Sequence, residues 1–283
     1  VVVAGGMESM SNVPYYDRAA RGGARMGDVE LVDGMIHDGL WDPYDRVHMG
    51  VCAEACAASQ GISRSQQDEY AMESTRRAVA AQQAGAFKPE IVPVEVAGRK
   101  GEKTLVEDDE GPKAARPEKI PSLRPVFKKD GTVTAANASS INDGAAAVVL
   151  MSAERAKAEG RPALGRLTGW AGTARAPVEF TIAPADAVKK LLARARLEPK
   201  DVDLWEINEA FAVVSIANNR LIGLDGKSVN VRGGAVVLGH PIGASGARIL
   251  VTLLHAMKDL GKRRGLATLC IGGGEAVAVL VER

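Results

Sequence analysis

Aromatic residues make up only 4 % of this 283-residue sequence, which also contains only three cysteines. So few rings argue against a surface that stacks on nucleic-acid bases. An odd number of cysteines does not form a disulfide framework, and a reducing compartment is the simpler interpretation. The formal net charge of +1 argues against a nucleic-acid or membrane-surface partner. No apolar run is long enough to cross a bilayer.

Three signatures of other functions are also missing. The run from Gly243 to Ala247 lacks one of the two glycines that a serine hydrolase nucleophile elbow requires. No lysine follows a glycine run as in a phosphate-binding P-loop, and no strand–helix unit opens with a dinucleotide fingerprint. The sequence therefore gives no support to these three classes.

The first residues, Val1 to Gly6, include neither an initiator methionine nor a signal-like region. Their pattern is that of a buried strand that is already under way at the first residue. We therefore expect the sequence to be the C-terminal portion of a longer protein.

The residues that are present predict an α/β protein. In the second half, a strand at 203–207 alternates with helices that open at Pro184 and near Ile249, which indicates layers around a mixed sheet. The apolar runs 145–151 and 276–281 each follow a turn of small residues. This weak internal repeat suggests two similar halves.

Residues 49–60 predict a helix that carries two cysteines, and Ser63 and Gln66 fit a capping box that opens the next helix. His48, Cys52 and Cys56 suggest a metal site, but positions eight apart on a helix are separated by roughly 12 Å along its axis. We therefore interpret both cysteines as core thiols.

Four candidate groups follow strands or precede helices, where ligands collect in α/β folds: Asn208, His240, Cys270 and the glycines 272–274. Each has a structural alternative. Asn208 would serve as the cap of a helix over 208–221, and His240 as a hydrogen-bonded turn residue. Cys270 would be a small buried hydrophobe, and the glycines a tight turn.

Taken together, these stretches resemble the thiolases. The resemblance extends over essentially the whole chain. It is carried by six stretches: Gly5-Gly6-Met7-Glu8-Ser9-Met10-Ser11, His48-Met49-Gly50, residues 131–146, Asn208-Glu209-Ala210-Phe211, Gly239-His240-Pro241, and residues 265–274, which include Cys270-Ile271-Gly272-Gly273-Gly274. His48-Met49-Gly50 is similar to the short-chain, acetoacetyl-CoA type of the family.

The resemblance implies acyl transfer between coenzyme A thioesters, with Claisen condensation or its thiolytic reverse. His240 would activate a nucleophilic cysteine, and Cys270 would move the α-proton. Asn208 would hold a water that forms one oxyanion hole with His240, and the Gly272 amide would contribute to the second. Fixed donors suit the charge that both half-reactions build on a thioester oxygen.

The resemblance also implies a substrate channel. Met49 would line the acyl pocket, His48, Ser139 and Phe211 the pantetheine channel, and Phe127 and Ala135 its surroundings. The partners would be acetyl-CoA, acetoacetyl-CoA and coenzyme A, with no separate cofactor and no metal. We expect a homodimer or homotetramer when complete, in the cytoplasm or the mitochondrial matrix.

Two positions depart from the family pattern. The nucleophile motif, a cysteine followed by Gly-Ser-Gly, is absent, and Cys52 and Cys56 lie in the wrong context to replace it. We predict that the missing cysteine precedes Val1, and that this chain is inactive and folds poorly alone. Gly111 stands where the potassium-activated type has a tyrosine, which puts potassium activation in doubt.

The expected architecture is the thiolase fold, in which two similar mixed-sheet halves carry an inserted loop domain. Residues 1–10 and 141–160 would be remnants of the N-terminal half, 11–140 the loop domain over coenzyme A, and 161–283 the C-terminal half. The leading function is acetyl-CoA acetyltransferase. The alternatives are a broad-range 3-ketoacyl-CoA thiolase of fatty-acid or aromatic degradation, and a non-catalytic thiolase-like protein.

Overall fold

A computed structural model describes residues 1–98 and 101–283, so two residues of the predicted loop domain, 99 and 100, lie outside the description. The strands are β1 (Val2–Ser9), β2 (Tyr15–Asp17), β3 (Leu31–Asp33), β4 (Trp41–Asp42), β5 (Val47–His48), β6 (Val94–Ala97), β7 (Lys103–Val106), β8 (Asp143–Leu150), β9 (Arg166–Ala174), β10 (Leu204–Ile207), β11 (Arg264–Ile271) and β12 (Glu275–Glu282). The helices are α1 (Met49–Ser59), α2 (Arg64–Gln83), α3 (Glu110–Ala114), α4 (Ala153–Ala158), α5 (Ala183–Ala195), α6 (Ala212–Ile222), α7 (Ala235–Leu238) and α8 (Ser245–Asp259).

The main sheet has the strand order β10-β11-β12-β9, with β10 and β11 parallel and the other pairs antiparallel. Successive residues of a strand point to opposite faces of the sheet, and helices pack against both faces. On one face, α5 packs against a cluster that includes Trp205 and Leu266. On the other, α8 packs against a cluster that includes Leu204 and Ala267. The predicted mixed sheet between helix layers is therefore present.

Helix α8 also contacts a second, two-stranded sheet formed by β1 and β8. The two strands pair antiparallel over their full length, from Val2 opposite Leu150 to Ser9 opposite Asp143. In β8 the residues alternate between exposed and half-buried, because one face of the pair lies against α8. β8 and β12, the two runs of the predicted repeat, are each strands with antiparallel partners.

The chain segment that follows β1 and precedes β8 contains helices α1 and α2. Helix α1 packs against α6 and the turn at 177–182, and helix α2 packs against α6. The capping box predicted at Ser63 is confirmed, since Ser63 Oγ accepts from Gln66 N and Gln66 Oε1 accepts from Ser63 N. Residues 11–48 contain two small antiparallel pairs, β2 with β3 and β4 with β5.

The helix predicted to begin at Asn208 begins at Ala212 instead, so the capping role assigned to Asn208 was wrong. Tertiary hydrogen bonds hold 208–211 extended: Asn208 N donates to Thr268 O, Ala212 N donates to Asn137 O, and Phe211 forms an antiparallel bridge with Ala138. The local helix propensity of residues 208–211 is outweighed by tertiary hydrogen bonds to neighbouring segments on both sides.

Within residues 1–98 and 101–283, no helix combines the length and apolar character needed to span a membrane. The same part of the chain contains no group of three or more His, Cys, Asp or Glu side chains placed to hold a metal ion.

Candidate active site

Asn208 and Cys270 lie at the same edge of the main sheet. β10 and β11 run parallel, with Ile207 opposite Thr268, so their carboxyl ends meet. Asn208 directly follows β10, and its backbone N–H donates to Thr268 O at 3.0 Å. Cys270 is the second-last residue of β11. The parallel register therefore brings both predicted residues to one place.

The short helix α7 and a glycine deliver His240 to this edge. Gly239 has φ of 95°, a conformation that favours glycine, and a side chain there would collide with Asn142. The backbone N–H of His240 donates to Ser140 O at 3.4 Å. The His240 ring reaches Asn208, with 3.2 Å between His240 Nε2 and Asn208 Nδ2.

Hydrogen bonds assign the tautomer of the His240 ring. The Pro241 carbonyl can only accept, so Ser245 Oγ, 2.9 Å away, donates its hydrogen to it. Ser245 Oγ in turn accepts from His240 Nδ1 at 2.6 Å. Nδ1 therefore carries the proton, and Nε2 presents a lone pair toward the Asn208 amide hydrogen.

The surroundings keep this ring neutral. Burial, and to a lesser degree the nearby Arg248 guanidinium, lowers the pKa of His240 to about 4. Arg248 lies in the first turn of α8 and faces the buried carboxylate of Glu206, with 3.6 Å between Arg248 Nη1 and the Glu206 oxygen. At neutral pH, Nε2 is consequently a free base rather than an acid.

All three thiols are buried and protonated. Burial raises the pKa of Cys270 to about 12 and that of Cys52 to about 11, and it also raises the pKa of Cys56. A thiol in this state is a poor nucleophile but retains a proton to give. All three thiols belong to one core cluster, and Cys270 is the one that lies at the end of β11, beside the Asn208 loop, where its proton can be given to a substrate.

Gly272 lies in the three-residue turn that joins β11 to β12, between the paired residues Ile271 and Glu275. A Cβ at position 272 would meet Met49 Cε at 2.5 Å, so the Met49 side chain lies directly over this glycine. Gly274 has φ of 94° and no room for a side chain beside Arg175 O. The turn therefore requires glycine for geometric reasons as well.

Three of the predicted channel residues form a row of rings. His48 and Phe127 stack with ring centroids 4.7 Å apart, and Phe127 meets Phe211 edge-on at 6.2 Å. His48 Nδ1 accepts from Gly50 N at 3.0 Å, so Nε2 carries the hydrogen of the neutral ring. Burial lowers the pKa of His48, which favours that neutral form.

Ser139 joins this row to the Asn208 loop. Its backbone N–H and its hydroxyl both donate to Ala210 O, at 3.1 and 2.9 Å. Ala135, by contrast, is exposed in the turn between Thr134 and Asn137. The structure thus connects Ser139, Phe211, Phe127 and His48, and places Ala135 on the outside.

The roles of two residues of the site were not predicted from the sequence. Ser245 fixes the His240 tautomer, and Arg248 supplies the positive charge near the ring. A serine five residues after the histidine has no sequence signature, because only the folded loop brings the two together. Arg248, three residues into α8, resembles any solvated helix charge.

Comparison with known proteins agrees with this geometry. Residues 1–154 match the model of the thiolase N-terminal domain, and residues 161–283 match that of the thiolase C-terminal domain. The chain belongs to the thiolase family. The predicted family is thereby confirmed, and with it the class of enzyme, an acyltransferase.

This thiolase is similar to longer curated proteins. It is 53 % identical over 283 residues to the acetyl-CoA acetyltransferase of Yarrowia lipolytica, covering 100 % of this chain and 70 % of that protein. It is 50 % identical over 284 residues to the acetyl-CoA acetyltransferase of Pseudomonas aeruginosa, of which it covers 72 %.

Solved structures confirm the predicted thiolase fold. The crystal structure of the Bacillus anthracis acetyl-CoA acetyltransferase superposes with a TM-score of 0.95 at 42 % identity, over 99 % of this chain and 71 % of that one. The Acat5 thiolase of Ascaris suum, solved in complex with coenzyme A, gives a TM-score of 0.93 at 48 % identity, over 100 % and 72 %.

Proposed function

We propose that this thiolase acts on short coenzyme A thioesters, converting acetoacetyl-CoA and coenzyme A into two acetyl-CoA, and the reverse. The observation that carries the proposal is the pair of neutral groups at one sheet edge. His240 Nε2 is a free base 3.2 Å from the Asn208 amide, and Cys270 is a buried thiol that retains its proton. The relatives named as acetyl-CoA acetyltransferases support the choice of substrate.

In the condensation direction, acylation begins when a nucleophilic thiol gives its proton to His240 Nε2 and attacks the thioester carbonyl of acetyl-CoA. The ring, now protonated at both nitrogens, donates from Nε2 toward the oxygen on which negative charge develops. Asn208, whose Nδ2 lies 3.2 Å from His240 Nε2, orients a water that donates to the same oxygen. The carbon–sulfur bond to coenzyme A then breaks, and the departing coenzyme A thiolate takes the proton from Nε2.

The nucleophile is not one of the three cysteines of this chain. Cys52 is fully buried on α1, Cys56 is 5 % exposed, and the pKa of each thiol is raised. Cys270 is reserved for the second proton transfer. We therefore propose that the acyl group is accepted by a thiol outside these 283 residues.

In the thiolytic direction, the nucleophilic thiol attacks the 3-keto carbon of acetoacetyl-CoA, and cleavage of the carbon–carbon bond leaves the electron pair on the α-carbon of the departing acetyl-CoA. Cys270 Sγ donates its proton to that carbon. Coenzyme A thiol then removes the acetyl group from the nucleophile, and the proton that it loses restores the Cys270 thiol. The neutral thiol at Cys270 is the form that this step consumes. Condensation uses the same groups in reverse, with the Cys270 thiolate removing the α-proton.

Met49 supports a preference for short acyl chains. Its Cε lies against Gly272 at the turn that follows Cys270, so a long chain beside Cys270 would have to displace it. A broad-range thiolase would instead cleave long 3-ketoacyl-CoA substrates as fast as acetoacetyl-CoA, and a chain-length profile separates the two outcomes.

The test uses this chain and a chimera in which the part of the Yarrowia lipolytica relative ahead of its match to Val1 is joined to Val1. We expect the chain alone to show no thiolysis of acetoacetyl-CoA and the chimera to show it. The loss of acetoacetyl-CoA absorbance measures both. Turnover by the chain alone would contradict the assignment of the nucleophile, and an inactive, folded chimera would favour a non-catalytic protein.

We also propose that activity does not depend on potassium. Gly111 lies in α3 against Val237 O of α7, where a side chain would collide with the carbonyl, so a tyrosine does not fit this backbone. In the chimera, replacing potassium chloride by sodium chloride at equal ionic strength should change the thiolysis rate by less than about twofold, because ionic strength alone acts equally in both salts. A severalfold loss in sodium would show that another potassium site exists.

A further inference from the structure

Glu209 stands beside Asn208 and is fully buried, with 0 % of its surface exposed. Its carboxylate accepts four hydrogen bonds. Tyr70 Oη and Asn230 Nδ2 donate to Oε1, each at 2.9 Å, and Ser74 Oγ and Val236 N donate to Oε2 at 2.7 and 3.1 Å. Four donors fill the acceptor positions of a carboxylate, so the side chain has one fixed position.

These donors come from three separate parts of the fold. Tyr70 and Ser74 belong to α2, Asn230 lies beside the end of β10, and Val236 lies in α7. Asn230 also pairs with Ile207 on both sides, accepting from its N–H at 2.9 Å and donating to its carbonyl at 2.8 Å. The oxygen Oε1 is therefore tied to the strand that carries Asn208.

The oxygen Oε2 is tied to the segment that carries His240. Val236 N donates to it directly, and Ser74 Oγ, which donates to the same oxygen, accepts from Gly234 N at 3.0 Å. Gly234 has no room for a side chain because the Glu209 carboxylate lies against it. From Val236 the backbone reaches His240 in four residues through α7 and Gly239.

We propose that Glu209 is a positioning residue that holds the Asn208 strand and the His240 segment together and so fixes the Asn208–His240 contact. The idea rests on the proposed function for its catalytic meaning, but the geometry that it predicts does not require turnover. One carboxylate connects the two segments, because one oxygen is bonded on the Asn208 side and the other on the His240 side.

The decisive variant is Glu209→Gln in the chimera. The glutamine keeps the shape and one oxygen, but its NH₂ group would face either the N–H of Val236 or the amide of Asn230, so one of the two connections is lost. The matched control is Glu54→Gln. Glu54 is another buried glutamate, 8 % exposed, which accepts four hydrogen bonds from three donors, Thr132 N, Thr132 Oγ1 and Val133 N.

The measurement is the tautomer of the His240 ring, from long-range ¹H–¹⁵N NMR spectra at neutral pH, with signals assigned by their loss in His240→Asn. In the unsubstituted chimera we expect the proton on Nδ1. In Glu209→Gln we expect the fraction with the proton on Nε2 to rise about fivefold, because the ring leaves Ser245 and Asn208. Glu54→Gln should lose stability without changing this fraction.

Two milder variants keep the test decisive if Glu209→Gln does not fold. Ser74→Ala removes the bridge to Gly234 N and should raise the Nε2–H fraction by a smaller amount. Tyr70→Phe removes one donor on the Asn208 side and should leave the ring unchanged. An unchanged tautomer in Ser74→Ala and in any folded Glu209→Gln protein would overturn the proposal. Failure of the chimera to turn over would contradict only the proposed function.

Discussion

The His240→Asn variant of the chimera should lose thiolysis by about a thousandfold or more, since a positioned general base contributes 10²–10⁴-fold and the ring also serves as an oxyanion donor. Asparagine fits the space and can still donate a hydrogen bond, but it cannot take a proton from the nucleophile. The loss should appear in kcat measured by the disappearance of acetoacetyl-CoA.

His255→Asn is the matched control for this change. His255 is a second buried histidine, 8 % exposed, on α8, and burial lowers its pKa as well. Because it has no place in the proposed chemistry, its replacement should leave kcat within about twofold, as expected for a position that does not touch substrate. Equal losses in the two variants would point to a general effect on folding.

The Cys270→Ser variant should lose thiolysis by about a thousandfold while the enzyme still becomes acylated, because a hydroxyl is a far weaker acid than a thiol. Serine is close to cysteine in size, so the 7 %-exposed site is preserved. Mass spectrometry of the chimera mixed with acetyl-CoA should show the acetyl adduct in both forms. Thiolysis at an undiminished rate would remove Cys270 from the mechanism.

Cys52→Ser provides the comparison for this thiol. Cys52 is fully buried in the same core cluster as Cys270, but it lies on α1 rather than at the end of β11. A buried hydroxyl at this position lowers stability, and turnover at a temperature where the protein is folded should remain within about twofold. The pair thus separates the proton transfer from the cost of burying a polar group.

The sequence predicted the site through residues at the ends of strands. Asn208 follows β10 and Cys270 ends β11, and the parallel register between the strands brings them together as the α/β pattern indicates. The glycine-framed His240 and the tight turn after Cys270 were recognisable for the same reason, since glycine marks backbone that side chains cannot adopt. Family resemblance then supplied the predicted roles.

The rest depended on contacts between distant parts of the chain. The helix predicted from Asn208 fails because residues 208–211 are bound by Thr268 on one side and by Asn137, Ala138 and Ser139 on the other. The carboxylate of Glu209 connects α2, β10 and α7, which no local pattern shows. Ser245 acquires its role only once the loop after His240 has folded.

The most direct test of the account mixes acetyl-CoA rapidly with the chimera, its Cys270→Ser variant and its His240→Asn variant, and follows the first release of coenzyme A. We expect a stoichiometric burst in the first two proteins, because acylation needs His240 but not Cys270. We expect no burst in the third. A burst of normal rate in His240→Asn, or its absence from a folded Cys270→Ser protein, would contradict the division of labour between these two residues.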